Sequence, residues 1–184
     1  GMSSEITLQG NPFENIEVAI KKPDNSTLLL YTVTDDKGKA LLTISDYHLR
    51  QAGNYLVAAR NLDKKEDYGT AGTFFEVYAG SVSETKSTAQ FTKNSAQTGE
   101  TVQMTVSLMD SNENKIDGHV LKVIPSSASS SVYTKEFATD QNGQMHFFIT
   151  SNQEGIYEFT LFDSSINKTL TQKPKLAFSG SGSF

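Results

Sequence analysis

The chain has 184 residues, of which 36% are hydrophobic, and it contains no cysteine and no tryptophan. Its formal net charge of -5 comes from 21 acidic and 16 basic residues spread along the sequence, with no block of Lys or Arg. Nucleic acids and anionic membranes are bound by clustered basic side chains, so neither is expected as a partner. The lack of cysteine excludes thiolate metal sites, cysteine nucleophiles and disulfides.

The sequence contains no run of about 18 apolar residues, so no membrane-spanning helix and no direct membrane insertion are predicted. It begins Gly1-Met2, and its first unit is shorter at the front than its second. We therefore expect a section of a longer protein, with any signal or anchor segment outside this sequence.

In the first half of the chain, apolar and polar residues alternate with a period of two, which predicts strands. A single helical turn or compact loop is expected at Ser45–Gly53. The six predicted strands span residues 5–9, 14–22, 27–33, 39–44, 53–60 and 72–79.

The second half repeats this pattern after a polar, glycine-containing connector. About seven short strands are predicted, a density typical of an immunoglobulin-like sandwich. They span residues 87–94, 101–109, 119–124, 132–138, 144–150, 155–162 and the region near 170–178.

Two short stretches show that the halves are copies of one module. "TDDKGKA" begins at Thr34, and "TDQNGQM" begins at Thr139; each is followed by an alternating strand and a Gly-x-Tyr, "GNY" at Gly53 and "GIY" at Gly155. Inward-facing positions match across the repeat, with Met145 lying 105 residues after Ala40. The prediction is an all-β chain of two tandem immunoglobulin-like β-sandwich domains. Its parts are a domain at 3–79 with its first strand trimmed or absent, a linker at 80–86, a domain at 87–178 and a flexible tail at 179–184.

The second unit resembles the bacterial immunoglobulin-like domains of invasin- and intimin-type surface proteins. The resemblance rests on "SAQTGETVQMTVSLMDSNENKIDG" (Ser95–Gly118), the "TDQNGQMHFFITS" run and "EGIYEFTL" (Glu154–Leu161). The family shows a D-x-x-G-N-P-I/V turn where this unit has Asn114-Lys115-Ile116, while the first unit has the closer "GNPF" at Gly10–Phe13. These motifs mark turns, so they specify a fold better than a partner.

This resemblance implies a non-catalytic stalk, spacer and adhesion section of a bacterial cell-surface or secreted protein. Its partners would be neighbouring immunoglobulin-like domains of the same chain, together with a host protein or a glycan. Two alternatives stay open: a segment of a macroglobulin-like envelope protein, which also uses a TD-x-x-G turn before a G-x-Y strand, and carbohydrate- or protein-binding accessory domains of a larger extracellular enzyme.

The acidic turns are predicted to be structural. An Asp two or three residues before a Gly accepts hydrogen bonds from its own turn, and the Gly adopts a positive φ, as we expect for Gly143. As cation ligands, Asp35, Asp36 and Asp140 would bring too few oxygens in each turn.

One loop, "DSNENKIDG", carries a partial calcium pattern. Asp110, Asn112 and Asn114 have the one-three-five spacing of a hard-cation loop, but position twelve, where a bidentate Glu belongs, is Leu121. These three residues are the metal candidate; no cofactor and no catalytic residue is predicted. The three histidines, His48, His119 and His146, fall in separate segments, and abundant serine singles out no nucleophile.

Two further pairs of residues are singled out by the repeat. Tyr55 and Tyr157 are expected inward at a sandwich corner, each hydroxyl bonding to nearby loop backbone. Phe148 and Leu41 occupy equivalent positions on the face opposite the core, and if exposed they are candidates for a partner surface or an inter-domain contact.

Overall fold

The computed structural model describes residues 4–64, 67–68 and 72–180, and the period-two pattern appears in it as strands. The chain divides into two compact units, Gly1–Tyr78 and Ala79–Phe184. Each unit packs two β-sheets around its own apolar core. The predicted all-β class of immunoglobulin-like sandwiches is confirmed.

All six strands predicted for the first unit are present. A single turn of 3₁₀ helix at Asp46–Leu49 occupies the region where one helical turn was expected. The strands are β1 (Ser4–Gln9), β2 (Asn15–Lys21), β3 (Thr27–Val33), β4 (Lys39–Ile44), β5 (Gly53–Asn61) and β6 (Thr73–Val77).

The first unit has one small sheet and one large sheet. Strands β1 and β4 pair antiparallel as a two-stranded sheet, and the other four form a sheet in the order β3-β2-β5-β6. A tight turn joins β2 to β3: the Lys22 N–H donates to the Ser26 carbonyl at 2.8 Å, and Asn25 adopts a φ of 66°. This short connection places β3 next to β2.

The core of the first unit comes from alternate positions of its strands. On β1, Ile6 and Leu8 face this core but are only half-buried. The buried residues that pack together in this core are Ile16, Val18, Ile20, Ile44, Tyr55 and Val57.

Nine strands are described in the second unit. They are β7 (Thr88–Phe91), β8 (Ser95–Gln97), β9 (Val102–Ser107), β10 (Leu121–Pro125), β11 (Ser130–Tyr133), β12 (Gln144–Ser151), β13 (Gly155–Asp163), β14 (Lys168–Thr169) and β15 (Lys175–Ser179). The sequence did not predict β8 or β14, because strands of two or three residues are too short to show alternation.

The two sheets of the second unit contain more described strands than those of the first. One sheet has the order β11-β12-β9-β7, and the other has the order β10-β13-β15-β8, with β14 on β13. The β8-β15 pairing is parallel; the other pairings are antiparallel. Its larger core includes the fully buried residues Met104, Leu108, Ile149, Phe159 and Leu176.

The pairing registers confirm the internal repeat. Ala40 pairs with Leu8 in the first unit, and Met145 pairs with Val106 in the second. Five strands of the first unit therefore have counterparts: β1 in β9, β2 in β10, β4 in β12, β5 in β13 and β6 in β15.

Several predicted boundaries differ from the structure; among the strands, the one expected at 132–138 is Ser130–Tyr133. The linker expected at 80–86 belongs to the second unit. It is held there because the Ser83 N–H donates to the Met109 carbonyl at 2.8 Å and Glu84 pairs with Lys168 at 2.7 Å. At the other end, β15 runs to Ser179, and residues 181–184 of the expected tail lie outside the described residues. In the part of the chain that the structure describes, no helix has the length and apolarity of a membrane span.

Candidate functional site

The repeated acidic turns bind their own backbone. In the first unit, Oδ1 of Asp35 accepts the N–H groups of Lys37 and Lys39, both at 2.8 Å. In the second, Oδ1 of Asp140 accepts those of Asn142 at 2.9 Å and Gln144 at 2.8 Å. The carboxylates therefore fasten the turn that precedes each strand, as the sequence predicted.

The threonine before each aspartate has an equally structural role. The buried Thr34 hydroxyl donates to the Asn11 carbonyl and accepts the Glu14 N–H. In the second unit, the Thr139 hydroxyl donates to the Ile116 carbonyl at 2.8 Å and accepts the His119 N–H at 3.0 Å. The "TD" pair thus ties each turn to the neighbouring loop. Sequence reasoning missed this function of Thr, although the repeated Thr was its signal.

The glycine of each turn lies against backbone. Gly38 and Gly143 have φ values of 78° and 70°. A Cβ would meet the Gly10 carbonyl oxygen at 2.0 Å in the first unit, and the Leu108 carbonyl oxygen at 2.6 Å in the second. Any side chain here would both strain the backbone and overlap it. The prediction of a positive φ at Gly143 is confirmed.

The candidate calcium loop is a third copy of the same turn. Oδ1 of Asp110 accepts the N–H groups of Asn112 and Asn114 at 2.8 and 2.9 Å, while Oδ2 accepts the Gly80 N–H and Asn114 Nδ2, each at 2.8 Å. Where the other copies have Gly, this one has Glu113, with a φ of 67°.

The environment of Asp110 suits a carboxylate that binds amides. Burial raises the pKa of Asp110, but hydrogen bonds from Asn114, Gly80 and Asn112 outweigh it and hold the pKa below its ordinary value. Four N–H dipoles point their positive ends at this carboxylate and would repel a cation. Among the described residues, no group of three or more His, Cys, Asp or Glu side chains is arranged to hold a metal ion.

The histidines lie in separate places. His119 Nδ1 is 2.7 Å from Oδ2 of the fully buried Asp163. His146 points outward, as predicted, with Nδ1 2.9 Å from Glu136. Each of these two histidines is thus paired with a carboxylate in a different part of the second unit.

Both tyrosine corners predicted from the sequence are present. The Tyr55 hydroxyl donates to the Gln51 carbonyl at 2.9 Å, and the Tyr157 hydroxyl donates to the Gln153 carbonyl at 3.0 Å. In both cases the acceptor lies four residues upstream, and both rings are buried. These rings are therefore unavailable for stacking on a sugar.

An apolar surface lies on the outer side of the four-stranded sheet of the first unit. We call it the outer face. Its large apolar side chains are each between 45% and 74% exposed. They are Leu29, Tyr31, Val33, Leu56 and Phe74. Solvent-exposed clusters of this kind are a feature of protein interaction surfaces.

An ion pair between the buried Glu17 carboxylate and a partly exposed arginine lies in the middle of the outer face. Glu17 and Arg60 are cross-strand neighbours on β2 and β5, and Nε of Arg60 donates to Oε1 of Glu17 at 2.7 Å. The Tyr68 hydroxyl also donates to Glu17, and its ring lies 4.8 Å from the Arg60 guanidinium carbon. The hydrogen bond from Tyr68 leads the interactions that lower the pKa of Glu17. Aromatic and Arg side chains grouped in this way are typical of the centres of protein interfaces.

An open groove of about 570 Å³ runs along one end of the outer face. Pro23 and the cross-strand pair Leu56 and Phe74 contribute its apolar wall, and Lys21 and Lys22 contribute two ammonium groups. The groove therefore combines apolar contact with positive charge.

The corresponding face of the second unit is more polar. Glu158, which occupies the position matched to Leu56, lies 3.5 Å from both Lys173 and Lys175. Of the two residues singled out from the sequence, Leu41 is exposed, whereas Phe148 is half-buried and stacks on Tyr133 with ring centroids 5.2 Å apart. The expected equivalence of these two residues is wrong, because the strand registers match Leu41 to His146.

The outer face was not predicted. Its signal was present in "TLLLYTV", where both sets of alternate positions are largely apolar, and in Glu17 and Arg60, opposite charges inside neighbouring strands. Alternation alone favours one core face, so the second apolar set was not assigned to a surface.

Several solved structures of bacterial surface proteins have a similar fold. No family model matches the sequence, and no curated protein matches it significantly. The structure of Yersinia pseudotuberculosis InvD is similar over 98% of this chain and 47% of its own, with a TM-score of 0.63 and 14% identity. The Escherichia coli adhesin FdeC is similar over 98% and 64%, with a TM-score of 0.61 and 14% identity. Invasin, described as a bacterial integrin-binding protein, is similar over 98% and 40%, with a TM-score of 0.51 and 12% identity.

The chain therefore spans about half the length of the structures it resembles. At these identities the likeness establishes a shared fold. The predicted resemblance to invasin-type immunoglobulin-like domains is confirmed at that level.

Proposed function

We propose that this chain is a non-catalytic, adhesion-type section of a bacterial cell-surface or secreted protein, in which the two units act as a spacer. The observation that supports it best is the fold similarity to bacterial adhesins, which extends over both units. The acidic side chains agree with this role, because those of the three turns hold backbone amides instead of a reaction centre.

A spacer must keep each module folded by its own interactions, and the separate cores of the two units support this requirement. Pulling the chain by its ends in a single-molecule experiment should therefore give two separate unfolding events. The first-unit event should be altered by Gly38→Ala and the second by Gly143→Ala. A single event affected by both substitutions would contradict the spacer role.

A second candidate function is favoured by the outer face: the first unit itself contacts a host protein or glycan. Beads coated with the chain should then bind to host cells or extracellular matrix, and Phe74→Glu should abolish the binding. Ile156→Glu is the matched control, because Ile156 lies on the corresponding face of the second unit and is, like Phe74, 74% exposed. Equal binding by both variants would exclude the outer face as the contact.

A further inference from the structure

Strand β3 is a long edge strand without charged residues. It ends the four-stranded sheet of the first unit, in the order β3-β2-β5-β6, and no described strand pairs with its other side. It is seven residues long, and its sequence, TLLLYTV, contains no charged residue, no proline and no glycine. Long apolar edges of this kind are templates for pairing with another strand.

The other edge strands that the structure describes are each short or interrupted by a charge or a proline. In the first unit, β1, β4 and β6 are also open on one side, and they carry Glu5, Lys39 and Glu76. In the second unit, β10 carries Lys122 and ends in Pro125, and β7, β8, β11 and β14 have four residues or fewer. Charges, prolines and short length are features by which sheets avoid pairing with other chains. Strand β3 has none of them.

The backbone of β3 presents its outer hydrogen-bonding groups at alternate residues. The Lys22 N–H donates to the Ser26 carbonyl at 2.8 Å, and the Thr34 N–H donates to the Glu14 carbonyl at 3.1 Å. Even-numbered residues of β3 therefore bond to β2, because bonded pairs alternate along an antiparallel ladder. The residues whose N–H and C=O groups point away from β2 are Thr27, Leu29, Tyr31 and Val33.

Both faces of β3 keep apolar area that a further strand would cover. On the outer face, Leu29, Tyr31 and Val33 are each about half exposed. On the core side Leu30 is half-buried, whereas its pairing partner on β2, Val18, is inaccessible. A strand added beside β3 would therefore bury side chains as well as backbone.

We propose that β3 pairs antiparallel with the β3 of a second copy of this chain. A two-fold axis passes through Leu30, so that Leu29 lies opposite Tyr31 of the second copy and Thr27 lies opposite its Val33. In this register each outward N–H and C=O group of the odd-numbered residues finds a partner. The two four-stranded sheets then form one continuous sheet, and their outer faces join.

A second copy is the occupant that the strand itself favours. A charged residue opposite Leu29 or Tyr31 would lose water without gaining an ion pair, so an uncharged strand is required beside β3. The chain carries such a strand in β3 itself. Although the net charge of the chain is -5, this pairing brings no like charges opposite one another within the seven paired positions. The contact is also closed, because it uses the same edge of both copies.

The size of the contact sets its expected strength. Seven residues of each copy are paired, compared with about 20–30 residues a side in a standard stable interface. The dimer is therefore weak in solution, with a Kd on the order of 0.1–1 mM. This inference rests on the fold and on the edge of β3, and it does not depend on the proposed adhesion role.

Sedimentation equilibrium of the full chain tests the dimer directly, at concentrations from about 0.01 to about 2 mM that bracket this Kd. A monomer and dimer equilibrium without larger species is expected. Leu29→Pro removes one outward N–H without touching the bonds from β3 to β2, so it should abolish the dimer, and Leu29→Ala should retain it. A chain that stays monomeric over this range would leave the edge to a different polypeptide and overturn the proposal.

A substitution on the opposite edge strand distinguishes pairing through β3 from contact through the outer face. Phe74 lies on β6 and is 74% exposed. Phe74→Glu should leave the dimer intact, because β6 is the strand of the sheet farthest from β3. A dimer that Phe74→Glu abolishes and Leu29→Pro retains would form through the outer face and overturn the proposal.

Cysteine cross-linking tests the register, and it keeps the proposal falsifiable if Leu29→Pro fails to fold. The chain has no cysteine of its own. Leu30 lies opposite its own counterpart, at a Cα separation that a disulfide can span, so Leu30→Cys should form a linked dimer under mild oxidation. Leu28 lies on the same side of β3 but opposite Thr32 of the second copy, so Leu28→Cys should give about tenfold less. Absence of a linked dimer of Leu30→Cys, or equal amounts from both variants, would overturn the proposal.

Discussion

The two units share five strand positions but differ in the strand that follows the second of these positions, which is β3 in the first unit and β11 in the second. In the first unit β3 follows a tight turn and stays beside β2, whereas in the second β11 crosses to pair with β12. Pro125 ends β10 without an N–H to donate, and the Ser126 N–H bonds to the Glu158 carbonyl on the β13 side. A few residues in one connection thus decide which sheet receives a strand.

This difference changes the surface of each unit. In the first, β3 widens the sheet that carries the outer face, and the β1-β4 sheet has two strands among the described residues. In the second, β7, β8 and β11 complete both sheets. Among the described residues, the added strand β3 thus gives the first unit a wider apolar outer face, whereas the strand β11 extends the opposite sheet of the second unit.

The largest expected effect is at the turn glycines. Gly143→Ala should destabilise the second unit by about 3 kcal/mol, because it adds backbone overlap to the cost of a positive φ. Gly38→Ala should do the same to the first unit alone. Gly118→Ala is the control: its φ is 73° but no atom lies within 4 Å of the added Cβ, so about 1 kcal/mol is expected. Thermal unfolding with a probe in each unit would check this, and equal losses at Gly118 and Gly143 would contradict the overlap.

The next largest losses of stability are expected from substitutions in two copies of the acidic turn. Asp110→Asn should cost about 2 kcal/mol, since an amide nitrogen would face the Gly80 and Asn114 donors. Asp140→Asn should cost less, because Oδ2 of Asp140 accepts only Asn142 Nδ2, at 3.3 Å. Denaturant unfolding of both variants measures the loss in the free energy of unfolding for each. A loss for Asp140→Asn as large as that for Asp110→Asn would contradict the prediction.

Lowering the pH should reveal how much the Asp110 carboxylate contributes to the stability of the second unit. The folded pKa of Asp110 lies below its unfolded value of about 3.9. Its contribution to stability is therefore complete above that unfolded value and is lost as the pH falls through the folded one. Between pH 5 and 2 the second unit should lose stability less steeply in Asp110→Asn than in the unmodified chain. Parallel curves would show that Asp110 does not contribute.

The tyrosine corners should give nearly equal effects in the two units. Tyr55→Phe and Tyr157→Phe each remove a buried hydrogen bond, for a loss of about 1 kcal/mol. Each hydroxyl also has a second hydrogen-bond partner, the His48 carbonyl at 3.3 Å for Tyr55 and the Ser129 hydroxyl at 3.1 Å for Tyr157, so similar losses are expected. A loss in one unit alone would contradict the equivalence of the two corners. Chemical denaturation followed separately in each unit would measure both.

The smallest expected effect is an increase in the stability of the second unit. Glu113 holds the position that Gly38 and Gly143 occupy in the other turns, so Glu113→Gly relieves a left-handed residue. The relief exceeds the entropy cost of Gly and the loss of an exposed ion pair to Lys86, for a net stabilisation of about 0.5 kcal/mol. A lower Tm for the second unit would refute this reading of the loop.

The sequence predicted the features that local chemistry controls. Gly143, the tyrosine corners and the alternating strands depend on turn residues and on a period of two, and all of them are present. The destination of β3 and β11, the cover supplied by β8 and the pairing of Glu17 with Arg60 depend on contacts between distant segments, which alternation does not encode. Asp110 was assigned to a candidate metal loop by its spacing; only the geometry reveals its four N–H donors.

The claim that the first unit has an open edge is tested most directly by amide hydrogen exchange of Thr7 and Thr105 in the unmodified chain. These residues occupy matched positions on β1 and β9. Thr105 faces the neighbouring strand β7, whereas no described strand pairs with the free side of β1. The account predicts rapid exchange at Thr7 and protection at Thr105. Protection of Thr7 equal to that of Thr105 would contradict it.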